Sequence, residues 1–221
     1  SSQIGLFFKC HGYNSTYVHR DISFESALID GLLLLDESPS EHILVGSADE
    51  LIENSFTIQR RQGKFRNNTS SHPYPIHKAG EGSAFFLLSR VNSADALARI
   101  AFCETIYNTD ASTATEKLLS LLESSGSSKP SFVLTGNNGT PESESLIDQL
   151  LANISNEAPV YPYKGFCGDY GSSSAFACWL ACLMLNKQID PEKDFEARYL
   201  ESVLILNAST SGHISFILLK K

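Results

Sequence analysis

Residues Gly80-Glu81-Gly82-Ser83-Ala84-Phe85-Phe86-Leu87-Leu88 form a glycine turn that runs straight into an apolar stretch. Such a turn is common on its own. Two further landmarks follow in order: Gly136-Asn137-Asn138-Gly139-Thr140-Pro141, then Tyr163-Lys164-Gly165-Phe166-Cys167-Gly168-Asp169. Each sets glycines beside a strand-like or helix-like segment. The ordered set is far more specific than any one member.

Upstream, residues 3–9 read as the end of a helix and Ser15–His19 as a short strand. From Ser23, residues Phe24, Ala27, Leu28 and Gly31 repeat at helical spacing. The continuation Leu32-Leu33-Leu34-Leu35 is apolar on every side, which predicts a central helix over 23–36. His42–Val45 reads as a buried strand ending at Gly46, and 50–79 as a long surface excursion. Strands are expected at 83–89, 97–107 and 131–135, with helices at 113–124 and 141–154. Val160-Tyr161 is a short strand, the glycine-rich turn 165–171 follows, and an apolar helix runs to 186. A hairpin of strands 202–207 and 214–219 closes the chain. Alternating strands and helices with a final antiparallel pair predict α/β layers.

Composition sets limits. The 221 residues suffice for a sizeable core, and 42% apolar with 19% charged residues is ordinary for a globular chain. A net charge of −8 argues against a nucleic-acid or anionic-membrane surface. The expected setting is soluble and cytoplasmic, with no secretory signal at the start. The longest apolar run, Ala175–Leu185, has 11 residues, whereas a membrane span needs about 20. Five cysteines (10, 103, 167, 178 and 182) lack framework or metal-ligand spacing and read as free thiols, so no metal or cofactor is expected. Arg60, Arg61, Lys64 and Arg66 form the one basic cluster that could meet an acidic partner, or else a solvated loop.

The three landmarks resemble the beta-ketoacyl-acyl-carrier-protein synthases of the thiolase superfamily, whose corresponding segments read GEGAAALVLE, AHGTGTP and KSNIGH. The resemblance implies a layered α/β/α/β/α architecture, with residues 1–90 belonging to the N-terminal half and 91–221 forming the C-terminal half. It also implies a preceding N-terminal segment, in keeping with a chain that starts without Met and contains only Met184. Residues 13–20 and 23–28 further resemble the beta-ketoacyl synthase-like N-terminal domain proteins. These often sit in aryl-polyene-type pathways, where inactive members act as chain-length-factor partners.

A condensing enzyme needs a thiolate at a helix N-terminus, two histidines and backbone donors for the oxyanion. Carried over by position, the family nucleophile falls on Asp21, the first histidine on Gly136 and the second on Asp169, while the family lysine is kept as Lys164. The gate loop between the last two strands reads Asn207-Ala208-Ser209-Thr210-Ser211-Gly212-His213, without the family's Phe. The resemblance thus implies a catalytically degenerate subunit that pairs with an active ketoacyl synthase, as a homo- or heterodimer with strand 15–19 at the interface. Acyl carrier protein is a further implied partner. Two other readings stay open. One is an active acyltransferase with a relocated nucleophile, Cys167 in its glycine-rich turn before a helix, assisted by His19. The other is a carrier-protein-binding module using the basic cluster. Plainer readings make His19 a buried, hydrogen-bonded residue, Lys164 a surface charge and Cys167 a structural thiol.

Overall fold

The computed structural model describes residues 2–37, 42–61, 65, 78–91, 93–127, 129–137, 140–154, 158–187, 200–209 and 211–221. Lys64 and Arg66 of the basic cluster lie outside the described residues.

Among the described residues, seven strands build two sheets. Strands β1 (His42–Asp49) and β2 (Gly82–Ser89) form an antiparallel pair. Strands β3 (Arg99–Tyr107), β4 (Phe132–Gly136), β5 (Val160–Pro162), β6 (Ser202–Ala208) and β7 (His213–Lys220) form a mixed sheet in the order β3-β7-β6-β4-β5. Strand β4 runs parallel to β5 and β6, whereas β7 is antiparallel to β6 and β3.

The five-stranded sheet is apolar on both faces, as a sheet between helical layers must be. On one face, α1 (Ala111–Ser124) and α2 (Pro141–Ile154) set Leu118, Leu122, Ile147 and Leu150 against Leu204, Leu206, Phe216 and Leu218. On the other, α3 (Ser23–Glu37) and α4 (Ser173–Leu185) bury Phe24, Leu28, Leu180 and Met184 with Leu134, Ile205 and Ile217. The β1–β2 pair covers this helical layer from outside through Val45 and Leu88. The layers therefore run α/β/α/β. Leu44, Phe85 and Leu87 stand on the outer face of β1–β2, where the expected fifth layer would lie, and are 68%, 60% and 67% exposed. The arrangement repeats internally, because α3 leads into the antiparallel pair β1–β2 much as α4 leads into β6–β7.

Several expectations need correction. Residues 15–19 form no strand; they have no sheet partner among the described residues, and Val18 is 93% exposed. Gly46 does not end β1. It pairs with Phe85, whose ring lies where a side chain at 46 would be, 2.2 Å from an added Cβ, so the glycine admits the aromatic cover and the strand continues to Asp49. The stretch after residue 50 holds a helix, Glu53–Arg61 (α5 here), with no buried residue. Helix α3 is not covered all round, since Leu33 is exposed, whereas α4 is buried along most of its length. The turn at 165–171 contains a one-turn helix, Lys164–Cys167. Helix α1 begins at Ala111 because the Asp110 carboxylate accepts the Thr113 N–H at 2.9 Å and caps it. Among the described residues, no helix is long and apolar enough to cross a membrane.

Candidate functional site

The turn before α3 is built from polar side chains. Arg20 adopts a left-handed φ of 52°, an uncommon conformation for a non-glycine residue. Ser23 Oγ closes the turn, accepting the His19 N–H at 2.8 Å and donating to the Arg20 carbonyl at 2.7 Å. Asp21 Oδ2 accepts the Ser209 hydroxyl. Ser209 Oγ also accepts the Ser211 N–H at 3.1 Å and lies 2.7 Å from Ser211 Oγ. With the Ser209 proton on Asp21, the Ser211 hydroxyl donates to Ser209, so the last loop is tied to the α3 turn.

Gly136 ends β4 opposite Asn207 of β6. An added Cβ there would stand 1.9 Å from Asn207 Oδ1 and 2.6 Å from the Tyr163 hydroxyl oxygen. Tyr163 is fully buried and donates to Asn207 Oδ1 at 2.7 Å. A tyrosine–asparagine pair thus fills the space that a histidine at 136 would need.

Beneath this pair lies a carboxyl group that sequence reading missed. Glu25 is completely buried. Its Oε1 accepts from Ser215 Oγ at 2.7 Å and Asn207 Nδ2 at 3.1 Å, and its Oε2 accepts from Ser174 Oγ at 2.9 Å. Burial raises its pKa, and the hydrogen bonds from Ser215, Ser174 and Asn207 oppose the shift. The available signal was its spacing, for Glu25 precedes Leu28 and Leu32 by three and seven residues on the core face of α3.

Asp169 and Lys164 pair with each other, Nζ to Oδ1 at 2.7 Å, with only 26% and 11% of their side chains exposed. Lys164 is therefore not a surface charge. Asp169 also forms a β-bridge with Ala79, exchanging backbone bonds with Lys78 and Gly80. The first and third landmarks meet here: a Cβ on Gly80 would lie 2.1 Å from the Cys167 carbonyl oxygen and 2.8 Å from the Gly168 Cα. Close backbone approach is what both glycines permit.

The glycine-rich turn does not activate Cys167. The thiol sits at the last residue of the short helix, not ahead of α4, and its Sγ approaches the Gly168 and Tyr163 carbonyl oxygens at 3.3 and 3.8 Å. Burial pushes its pKa up to about 11, outweighing the Lys164 charge. His19 has other partners. It is exposed rather than buried, its Nδ1 lies 3.2 Å from Ser26 Oγ, and its ring meets that of His213 edge-on at 5.7 Å. His213 in turn packs 4.7 Å from the Tyr107 ring. Val18, His19, Arg20, Tyr107, Ser211 and His213 line an open cleft of about 420 Å³.

The three positions assigned by the resemblance find their partners at the ends of β5 and β6. Asp21 is held by Ser209, Gly136 packs on Asn207 and Tyr163, and Tyr163 leads into the Lys164–Asp169 pair. Among the described residues, no cluster of three or more His, Cys, Asp or Glu is placed to hold a metal ion.

No family model matches the chain, and no curated protein does. Solved structures do. A beta-ketoacyl synthase from Burkholderia phymatum superposes with a TM-score of 0.80 at 16% identity, covering 100% of this chain and 64% of that one. A ketosynthase (ApeO) in complex with its chain length factor (ApeC) from Xenorhabdus doucetiae gives 0.81 at 16%, covering 100% and 63%. The ishigamide ketosynthase/chain length factor gives 0.73 at 19%, covering 99% and 60%. The chain thus spans 60–64% of the length of these solved chains. Across its whole length, it has the layered thiolase-like fold of the ketosynthases.

Proposed function

We propose that this chain is a catalytically degenerate ketosynthase-fold subunit that pairs with an active synthase and shapes its acyl tunnel, as a chain length factor does in fatty-acid or polyketide synthesis of the aryl-polyene type. The observation that carries the reading is the filled space at Gly136, where Tyr163 and Asn207 leave no room for a catalytic side chain. The other two positions support it. Asp21 and Asp169 are carboxylates already bound to Ser209 and Lys164, and neither is a comparable thioester nucleophile or imidazole proton donor. Complexes of ketosynthases with chain length factors among the structural neighbours support the choice of partner. The raised pKa of Cys167 weighs against the relocated-nucleophile reading.

The test has two parts. The purified chain, incubated with malonyl and acyl carrier thioesters, is expected to give no condensation product and no acylated residue by mass spectrometry. Co-expressed with a ketosynthase encoded beside it, the chain is expected to co-purify and to alter product length. Condensation by the isolated chain, abolished by Cys167→Ala, would overturn the proposal. So would failure to associate with any such synthase.

A further inference from the structure

Basic side chains crowd one opening of a chain whose net charge is −8. Arg20, His19 and His213 share the cleft at the α3 turn. Among the described residues none of the three has a carboxylate in ion-pair reach, the pairs there being Lys117–Glu104 and Lys164–Asp169. Asp21, the acid that acts on His213, has its Oδ2 bound by Ser209. The Ser211 N–H and hydroxyl are likewise spent on Ser209. The donors left for a ligand are the Arg20 guanidinium, the two imidazoles and the Tyr107 hydroxyl. Arg20 also carries the left-handed backbone that fixes this turn.

We propose that the cleft binds a small oxyanion, a carboxylate or a phosphate monoester, between the Arg20 guanidinium and the His19–His213 pair. Guanidinium and imidazolium donors form charge-assisted hydrogen bonds with either group. Burial lowers the His213 pKa, and the His19 and Arg20 charges push the same way against Asp21. A bound anion reverses that balance and favours the protonated ring, so binding weakens as pH rises through the imidazole range. The groups facing His213 are His19, Arg20 and Asp21 from the α3 turn and the Tyr107 phenol from β3. The inference rests on the cleft of the unpaired chain, whose Val18 and His19 lie in the segment 15–19 expected at a subunit interface.

Histidine ring signals of the labelled chain, followed by NMR during addition of methyl phosphate or acetate at constant ionic strength, test it. Saturable shifts at His213 and His19 are expected, with a dissociation constant on the order of 1 mM at pH 6. For acetate, which is ionised throughout, raising the pH to 8 should weaken binding by about tenfold. Arg20→Gln should also weaken it by about tenfold. His213→Gln leaves the strained residue untouched and should weaken binding as well, read at His19. The tighter of the two probes identifies the ligand class. Shifts that never saturate, that chloride reproduces, or that persist undiminished in His213→Gln would overturn the proposal.

Discussion

Tyr163 and Asn207 meet at the end of the five-stranded sheet, where the tyrosine hydroxyl donates to Asn207 Oδ1 at 2.7 Å in the space a side chain on Gly136 would occupy. The contact joins three segments far apart in sequence. It also makes the second landmark a packing site whose glycine is required by its neighbours.

Gly136→Ala should therefore destabilise the chain by about 1–3 kcal/mol through overpacking. In an Asn207→Ala background the same change should cost less, since the 1.9 Å approach to Asn207 Oδ1 disappears. Urea unfolding of the four proteins measures the coupling. Additive costs would show that Gly136 is not confined by this pair.

Glu25 should dominate the stability of the same region. Glu25→Leu leaves Ser174 and Ser215 without their acceptor and Asn207 with only Ser215 Oγ, and should cost about 2–4 kcal/mol. Its pKa is raised on folding, so the native state holds the proton more tightly than the unfolded chain does. Its contribution is full below the ordinary value of 4.5 and declines as pH rises from there toward the folded pKa. Glu25→Gln should flatten that decline, and unfolding at pH 4, 5, 6 and 7 would reveal it. An unchanged pH profile would show that the carboxyl titrates normally.

The Lys164–Asp169 pair predicts the result of placing a histidine at position 169. Asp169→His places an imidazole against a mostly buried ammonium and removes its counter-charge, so stability should fall by about 1–3 kcal/mol. The loss should be larger at pH 5.5 than at pH 8, because the histidine is charged at the lower pH. Thermal melts at the two values compare them.

Thiol reactivity separates the readings of Cys167. Cys10 is exposed, whereas Cys103, Cys167, Cys178 and Cys182 are shielded to different degrees and have raised pKa values. Iodoacetamide at pH 8 should modify Cys10 first, with Cys167 slower by at least about tenfold. Peptide mapping of a time course gives the rates, and a fast Cys167 would mark an activated thiol.

What the sequence by itself determined follows from periodicity and local chemistry. Helix Pro141–Ile154 has the bounds its proline start and apolar spacing require, and the closing hairpin is legible from two apolar runs around Ser211-Gly212. Helix α4 is apolar on every side, and that alone demanded a buried position. The glycine landmarks were legible too, because tight backbone approach restricts residue choice.

Tertiary structure decided what depends on partners distant in the chain. Gly46 reads as a stop until Phe85 is seen lying over it. Residues 15–19 have strand propensity but no neighbouring strand among the described residues, and propensity without a partner makes no ladder. Glu25 reads as an ordinary first-turn acid, and its burial appears only when Ser174, Asn207 and Ser215 arrive from three other segments. Lys164 looks like a surface charge until Asp169 folds back on it, and His19 looks solitary until His213 crosses to it from β7. Each of these is a pairing across the fold, and the energy of a pair depends on which groups the chain path brings together and how far water is excluded between them.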